Sequence, residues 1–169
     1  MKDYILLLPI IFIIHDMEEI IGLRWFFNNT PWLYDRFPKL TNGFRGLSTA
    51  RFALGVYEEF IPFFGVSLLA YYFPCRALYG LWFGIFLSLA VHFLIHIGQA
   101  IYIRKYIPCL ITTLACLPAS IIVLFKAAKF MTFDALTVIF IALGIAVMII
   151  NMILLFRFVL SDMSAGRKN

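Results

Sequence analysis

Histidines and carboxylates lie inside strongly apolar stretches of this chain. His92 and His96 lie four residues apart in one stretch, the segment 15–19 (His-Asp-Met-Glu-Glu) lies in a second, and Glu58 and Glu59 lie in a third. A charged side chain at the centre of a bilayer costs roughly 2.5–3.5 kcal/mol on insertion scales. A cation, protons or partner side chains must therefore neutralise these groups.

The types and spacing of these residues favour metal chemistry. Two histidines one helical turn apart can bind a single ion. A carboxylate from another helix would complete three protein ligands and leave a position for water, on which a further carboxylate could act as general base. The residues that we expect to bind the metal are His15, Glu19, Glu58, His92 and His96. Glu18 and Glu59 are the expected catalytic bases, and which of Glu18 and Glu19 touches the ion stays open. The expected cofactor is a divalent ion, with zinc favoured and iron or manganese as alternatives.

The composition indicates which elements must position these residues. The chain is 63% hydrophobic with a mean hydropathy of +0.96, whereas a soluble domain is about half apolar. This excess predicts an all-α, polytopic membrane helix bundle. Five stretches approach the roughly 20 residues that a span needs, near 4–27, 51–73, 78–103, 107–125 and 135–158. They form one membrane domain over residues 1–169, with an interfacial loop at 28–46.

Depth in the membrane links the candidate ligands. Glu19, Glu58 and His96 each lie seven or eight residues from the predicted cytoplasmic end of their helix. At 1.5 Å rise per residue, all three are roughly 10–12 Å deep, and His15 and His92 are one turn deeper. Consecutive spans run in opposite directions, so this agreement across three helices supports a shared site.

The distribution of basic residues predicts the orientation. With five spans, one membrane face carries four basic residues and the other carries ten. The positive-inside rule then places the N-terminus outside and the C-terminus in the cytoplasm of a cell (inner) membrane protein. The net charge of +5 is on this interpretation an orientation signal and not a nucleic-acid footprint. The first stretch lacks a small-residue cleavage site and is expected to be a retained helix.

The cysteines do not predict a disulfide framework. Cys109 and Cys116 are seven residues apart on one predicted helix, and Cys75 lies at the opposite face. Free cysteine commonly packs as a small hydrophobe, so all three are interpreted as core thiols.

The segment His15-Asp16-Met17-Glu18-Glu19 resembles the signature of the HXXEE-domain family of small, mainly bacterial membrane proteins. The resemblance extends to the layout as far as Ile103, with the motif in the first span, acids in the second and histidines in the third. It implies a multi-pass membrane protein in which His15, Glu18 and Glu19 are the motif residues. It supplies no reaction, because the family has no settled activity.

Three functions are compatible with this pattern. The first is a metal-dependent intramembrane hydrolase acting on a lipid or lipid-linked substrate from the cytoplasmic leaflet, with Arg24, Arg45 and Arg51 near the mouth of the site as candidate phosphate ligands. The second is a proton- or ion-coupled transporter that uses an intramembrane His/Glu network. The third is an accessory subunit whose acids bind a partner helix. The oligomeric state is not predicted.

Overall fold

The computed structural model describes residues 1–160, and this part of the chain contains helices and no strand. The helices are α1 (Lys2–Ile5), α2 (Leu7–Asn29), α3 (Trp32–Arg36), α4 (Pro38–Thr41), a 3₁₀ turn (Asn42–Phe44), α5 (Thr49–Tyr72), α6 (Arg76–Ile103), α7 (Leu110–Ala128) and α8 (Ala135–Leu160). The predicted all-α fold is therefore confirmed.

Four helices, α5 to α8, are long and apolar enough to cross a membrane. Five spans are predicted, but only four helices in the described part of the chain are long and apolar enough to cross a membrane. The first predicted span corresponds to α2, which is 23 residues long. It carries three acids in the segment 16–19 and also Arg24, so its apolar character is weaker than that of the others. The four apolar helices indicate a membrane protein.

Pro9 interrupts the first predicted span near its start. Proline has no amide hydrogen and disturbs the turn before it, and the helix breaks at Leu6 into α1 and α2. The carbonyl of Ile5, four residues before Pro9, accepts a hydrogen bond of 2.9 Å from Nε1 of the buried Trp82 on α6. The indole thus satisfies the acceptor that the proline leaves without a helical partner.

Polar contacts join the long helices at both ends of the bundle. At one end, Arg51 near the start of α5 donates a 2.7 Å hydrogen bond to the carbonyl of Phe158 on α8. At the other end, Arg76 at the start of α6 pairs with Asp134 just before α8, at 2.6 Å. We call the first the loop end, because it also carries the segment 28–46.

Small residues allow α6 and α8 to cross closely. An added Cβ at Gly84 would overlap the carbonyl group of Ile141, and one at Gly144 would overlap the carbonyl of Leu81. Backbone contact of this kind needs small residues on both helices. This crossing fixes one side of α6. At about 100° per residue, His92 and His96 lie about 80° and 120° around the helix from Gly84, where their rings meet that of His15 on α2.

Two connections at the loop end differ from the sequence expectations. The predicted loop 28–46 contains α3, α4 and the 3₁₀ turn, with Pro38 at the first position of α4. Helix α7 begins at Leu110, three residues later than expected, because Pro108 and Cys109 precede it and Cys109 adopts a left-handed φ of 80°.

Candidate metal centre

The three histidines of the chain converge between α2 and α6. The ring centroids of His15 and His96 are 5.2 Å apart, those of His92 and His96 are 4.2 Å apart, and those of His15 and His92 are 5.7 Å apart. Phe93 covers one side of His15, with ring centroids 4.6 Å apart. The imidazoles predicted as ligands are therefore brought together.

Cys109 joins this group from the connection before α7. One nitrogen from each of His15 and His96 and the sulfur of Cys109 lie within 4.8 Å of one another. All three residues are buried, with 0%, 6% and 1% of their surface exposed. A tetrahedral zinc site with these donors has ligand atoms about 3.3–3.6 Å apart, so an ion would need only a small inward movement of the ligands.

Hydrogen bonds orient the imidazole of His96, whereas one ring nitrogen of His15 has no hydrogen-bond partner. Nδ1 of His96 is 3.0 Å from Oε1 of Gln99, and its Nε2 is 2.7 Å from Nε2 of His92. A side-chain partner on the far ring nitrogen is the usual support for a metal-binding imidazole. Nε2 of His15 is buried and has no hydrogen-bond partner. A buried, unpaired nitrogen is costly, and coordination of a cation would satisfy it.

The Cys109 thiol would need a bound cation to lose its proton. Burial, followed by the nearby charges of Glu19 and Glu18, raises its pKa far above the usual range. Cys109 therefore stays protonated on its own. A metal ion would displace that proton, because a coordinated thiol is deprotonated.

Glu18 binds the start of α7, and the Thr112 hydroxyl that it accepts from also lies 3.4 Å from Nδ1 of His15. Its Oε1 accepts hydrogen bonds from the Tyr106 hydroxyl at 2.5 Å and the Ile111 amide at 3.3 Å. Its Oε2 accepts from the Thr112 amide at 2.7 Å and the Thr112 hydroxyl at 2.6 Å. Burial and the bond to Glu18 raise the pKa of Tyr106 to about 12, so the phenol remains a donor. The predicted role of Glu18 as a base conflicts with this arrangement, because its acceptor positions are filled.

Three acids form a second group beside the histidines. Asp16, Glu19 and Glu59 lie close enough to interact as charges, and Cys109 also interacts with Glu19 and Asp16. Asp16 and Glu59 are only 4% and 3% exposed. Each has one buried carboxylate oxygen without a hydrogen-bond partner. Glu19, predicted as a ligand, and Glu59, predicted as a base, thus share one environment.

Glu58 faces a different neighbour. It is exposed, and its Oε1 accepts a 3.2 Å hydrogen bond from Nδ2 of Asn151 on α8. Consecutive helical residues point about 100° apart, so α5 directs Glu59 inward and Glu58 toward α8. The predicted metal-binding role of Glu58 is not supported by a contact with the histidines.

Cys109 is the candidate ligand that the sequence interpretation missed. From the sequence it is interpreted as a core thiol, and its spacing does not relate it to the histidines. The sequence gives no indication that the connection before α7 reaches His15.

A family model described as "Protein of unknown function with HXXEE motif" matches residues 6–123. The chain belongs to this HXXEE family. No curated protein and no solved structure matches it. The matched range contains all of the candidate ligands and most of α7, whereas α8 lies beyond it. The motif residues of this HXXEE protein have three distinct surroundings. His15 lies with the other histidines and Cys109, Glu18 binds α7, and Glu19 lies with the other acids.

Proposed function

We propose that this HXXEE protein is a metal-dependent membrane enzyme, a hydrolase that acts on a lipid or lipid-linked substrate from the cytoplasmic leaflet. The observation that carries the proposal is the convergence of His15, His96 and Cys109 in a buried cluster. Three protein ligands leave one position of a tetrahedral ion open, as in catalytic zinc sites.

The donor set favours zinc. Two imidazoles and one thiolate are borderline and soft ligands, which suit Zn²⁺ better than manganese or magnesium. Iron remains compatible with the imidazoles. His92 lies outside the three-atom cluster and is hydrogen-bonded to His96, so it is placed to bind a group at the open position or to serve as a fourth ligand.

The neighbouring acids supply proton transfer. A bound zinc ion would lower the pKa of its water toward neutrality. Glu19 is the preferred proton acceptor, because it interacts with Cys109 while Glu18 is occupied at α7. Hydrolysis would add the hydroxide to the acyl or phosphoryl centre and return the proton to the leaving alcohol. Asp16 and Glu59 would act on Glu19 through their charges, because both lie close enough to interact with it.

A cavity at the loop end offers a place for a substrate headgroup. It has a volume of about 230 Å³ and lies between the end of α2 and the start of α5. Arg24, Asn28, Tyr34 and Ser48 line it together with apolar side chains. Arg45 stacks on Tyr34 at 4.3 Å, whereas Arg51 is bonded to α8. Arg24 and Arg45 are therefore the better candidates for binding a phosphate.

Metal content is the first test. We expect protein purified without chelators to contain about one zinc ion per chain, and His96→Ala and Cys109→Ser to lower that content strongly while the protein remains folded. Cys116→Ser is the matched control, because Cys116 is a buried thiol on α7 outside the cluster. Absence of metal from the native protein, and failure to take up added Zn²⁺, would refute the proposal.

Hydrolysis is the second test. Zinc-loaded protein would be incubated with vesicles of phosphatidylglycerol and phosphatidylethanolamine, and both the lipid products and the water-soluble products would be followed by mass spectrometry. We expect Glu19→Gln to lose product formation while it retains metal, because it removes the proton acceptor. Product formation that Glu19→Gln leaves unchanged would exclude Glu19 as the base.

Ion-coupled transport is the second candidate function. The buried, unpartnered oxygens of Asp16 and Glu59 favour it, because intramembrane acids of this kind also mark ion pathways. The test is proton or cation flux in proteoliposomes, with Glu59→Gln expected to abolish it. Flux without zinc, together with no hydrolysis, would favour transport over the enzyme.

A further inference from the structure

The connection between α6 and α7, residues Arg104–Cys109, runs back along α2 instead of staying at the loop end. Pro108 lies against Gly22, where an added Cβ would be 2.9 Å from the Pro108 Cβ. Thr112 lies four residues further along this path and contacts Glu18, one turn before Gly22 on α2. The connection thereby carries Cys109 to the level of His15.

The backbone of this connection is held in an unfavourable conformation. Arg104 and Cys109, at its two ends, have φ angles of 54° and 80°, a region that non-glycine residues rarely adopt. Residues in this conformation are strained and persist only where the surrounding structure holds them. Something must therefore hold the connection in place against α2.

Glu18 provides that restraint from both sides of Cys109. The Tyr106 hydroxyl precedes Cys109, and the Ile111 and Thr112 amides follow it, and all of them donate to the Glu18 carboxylate. A carboxylate at a helix N-terminus also interacts favourably with the helix dipole. The Thr112 hydroxyl adds a fourth bond, at 2.6 Å. No other carboxylate in the described part of the chain is hydrogen-bonded to α7.

We infer that Glu18 is a positioning residue, which holds the Arg104–Cys109 connection against α2 so that the Cys109 sulfur completes the metal site with His15 and His96. In this view the first glutamate of the motif assembles the centre and the second serves its chemistry. The inference rests on the metal site of the proposed function, and its test separates the failure of one from the failure of the other.

Cobalt binding gives a direct readout, because a thiolate bound to Co²⁺ produces a charge-transfer band in the near ultraviolet that imidazole ligands do not. The wild-type protein in detergent would be titrated with Co²⁺, and Cys109→Ser would assign the band. We expect Glu18→Ala to lose the band and to raise the Kd for Co²⁺ about 10- to 100-fold, as for other residues that support metal ligands. Gly22→Ala, which pushes Pro108 away without removing a polar group, should weaken the band as well.

Two controls separate positioning from general damage. Asp35→Asn removes an exposed carboxylate on α3, and Gly98→Ala adds a methyl group where no atom lies within 4 Å. Both should leave the band and the Kd unchanged. Should Glu18→Ala fail to fold, Gly22→Ala decides the question.

The outcomes are distinguishable. A wild-type protein that binds neither Co²⁺ nor Zn²⁺ refutes the proposed function and this inference with it. If the wild-type protein binds Co²⁺ without a thiolate band, only the inference is overturned. The inference is also overturned if the Glu18→Ala or Gly22→Ala protein keeps the band and the Kd of the wild type. Loss of the band in a variant that retains the thermal unfolding midpoint of the controls supports it.

Discussion

At the scale of the residue, adjacent acids have different partners in this protein. Glu18 binds α7, whereas its neighbour Glu19 lies with Asp16 and Glu59. Glu58 contacts Asn151, whereas Glu59 is buried. Helical geometry predicts that neighbours diverge by about 100°, but not which helix each one meets. The sequence therefore identifies the acids, but it does not show which member of each adjacent pair faces the histidines.

Trp82 gives the most local prediction. Its indole donates to the Ile5 carbonyl, which Pro9 deprives of a helical partner, and the side chain is fully buried. Trp82→Phe leaves that carbonyl unsatisfied, so the free energy of unfolding should fall by about 1–3 kcal/mol. The measurement is denaturant unfolding in detergent, with Trp25→Phe as control because Trp25 is 58% exposed. Equal stability of the two variants would show that the bond contributes nothing.

At the scale of the element, the crossing of α6 and α8 depends on glycine. Gly84→Ala would place a methyl group on the backbone of Ile141, and overpacking of this kind typically costs 1–3 kcal/mol. We expect a lower thermal unfolding midpoint in detergent. Gly98→Ala on the same helix has open space and should match the wild type or exceed it, since alanine is the better helix former. A Gly84→Ala protein as stable as Gly98→Ala would contradict the close crossing.

The long apolar helices were predictable from the sequence, and the connection that carries Cys109 to the histidines was not. Apolar length fixed α5, α6 and α8 to within a few residues, because a span needs a long uninterrupted apolar run. The convergence of the histidines followed from their spacing and depth. Cys109 could not be placed, because its position depends on the path of six residues along α2. Apolar periodicity carries no information about such a path.

At the scale of the whole molecule, the bundle has two distinct ends. The loop end carries Arg24, Arg45 and Arg51 with the segment 28–46, and the other end carries the Arg76–Asp134 pair. The excess of basic residues at the loop end predicts that it faces the cytoplasm. A substrate that enters the cavity beside Arg24 would then come from the cytoplasmic leaflet.

The native cysteines allow this orientation to be measured. Cys75 is exposed at the end opposite the loop end, so its interpretation as a core thiol is wrong, whereas Cys109 and Cys116 are buried as expected. Burial also raises the pKa of the Cys109 thiol, so that it reacts slowly with maleimides at neutral pH. A membrane-impermeant maleimide should therefore label Cys75 in intact cells and not in sealed inverted vesicles. In a Cys75→Ser background, Lys39→Cys in the exposed part of the segment 28–46 should show the reverse pattern. Labelling of Lys39→Cys from outside would invert the orientation and place the cavity in the outer leaflet.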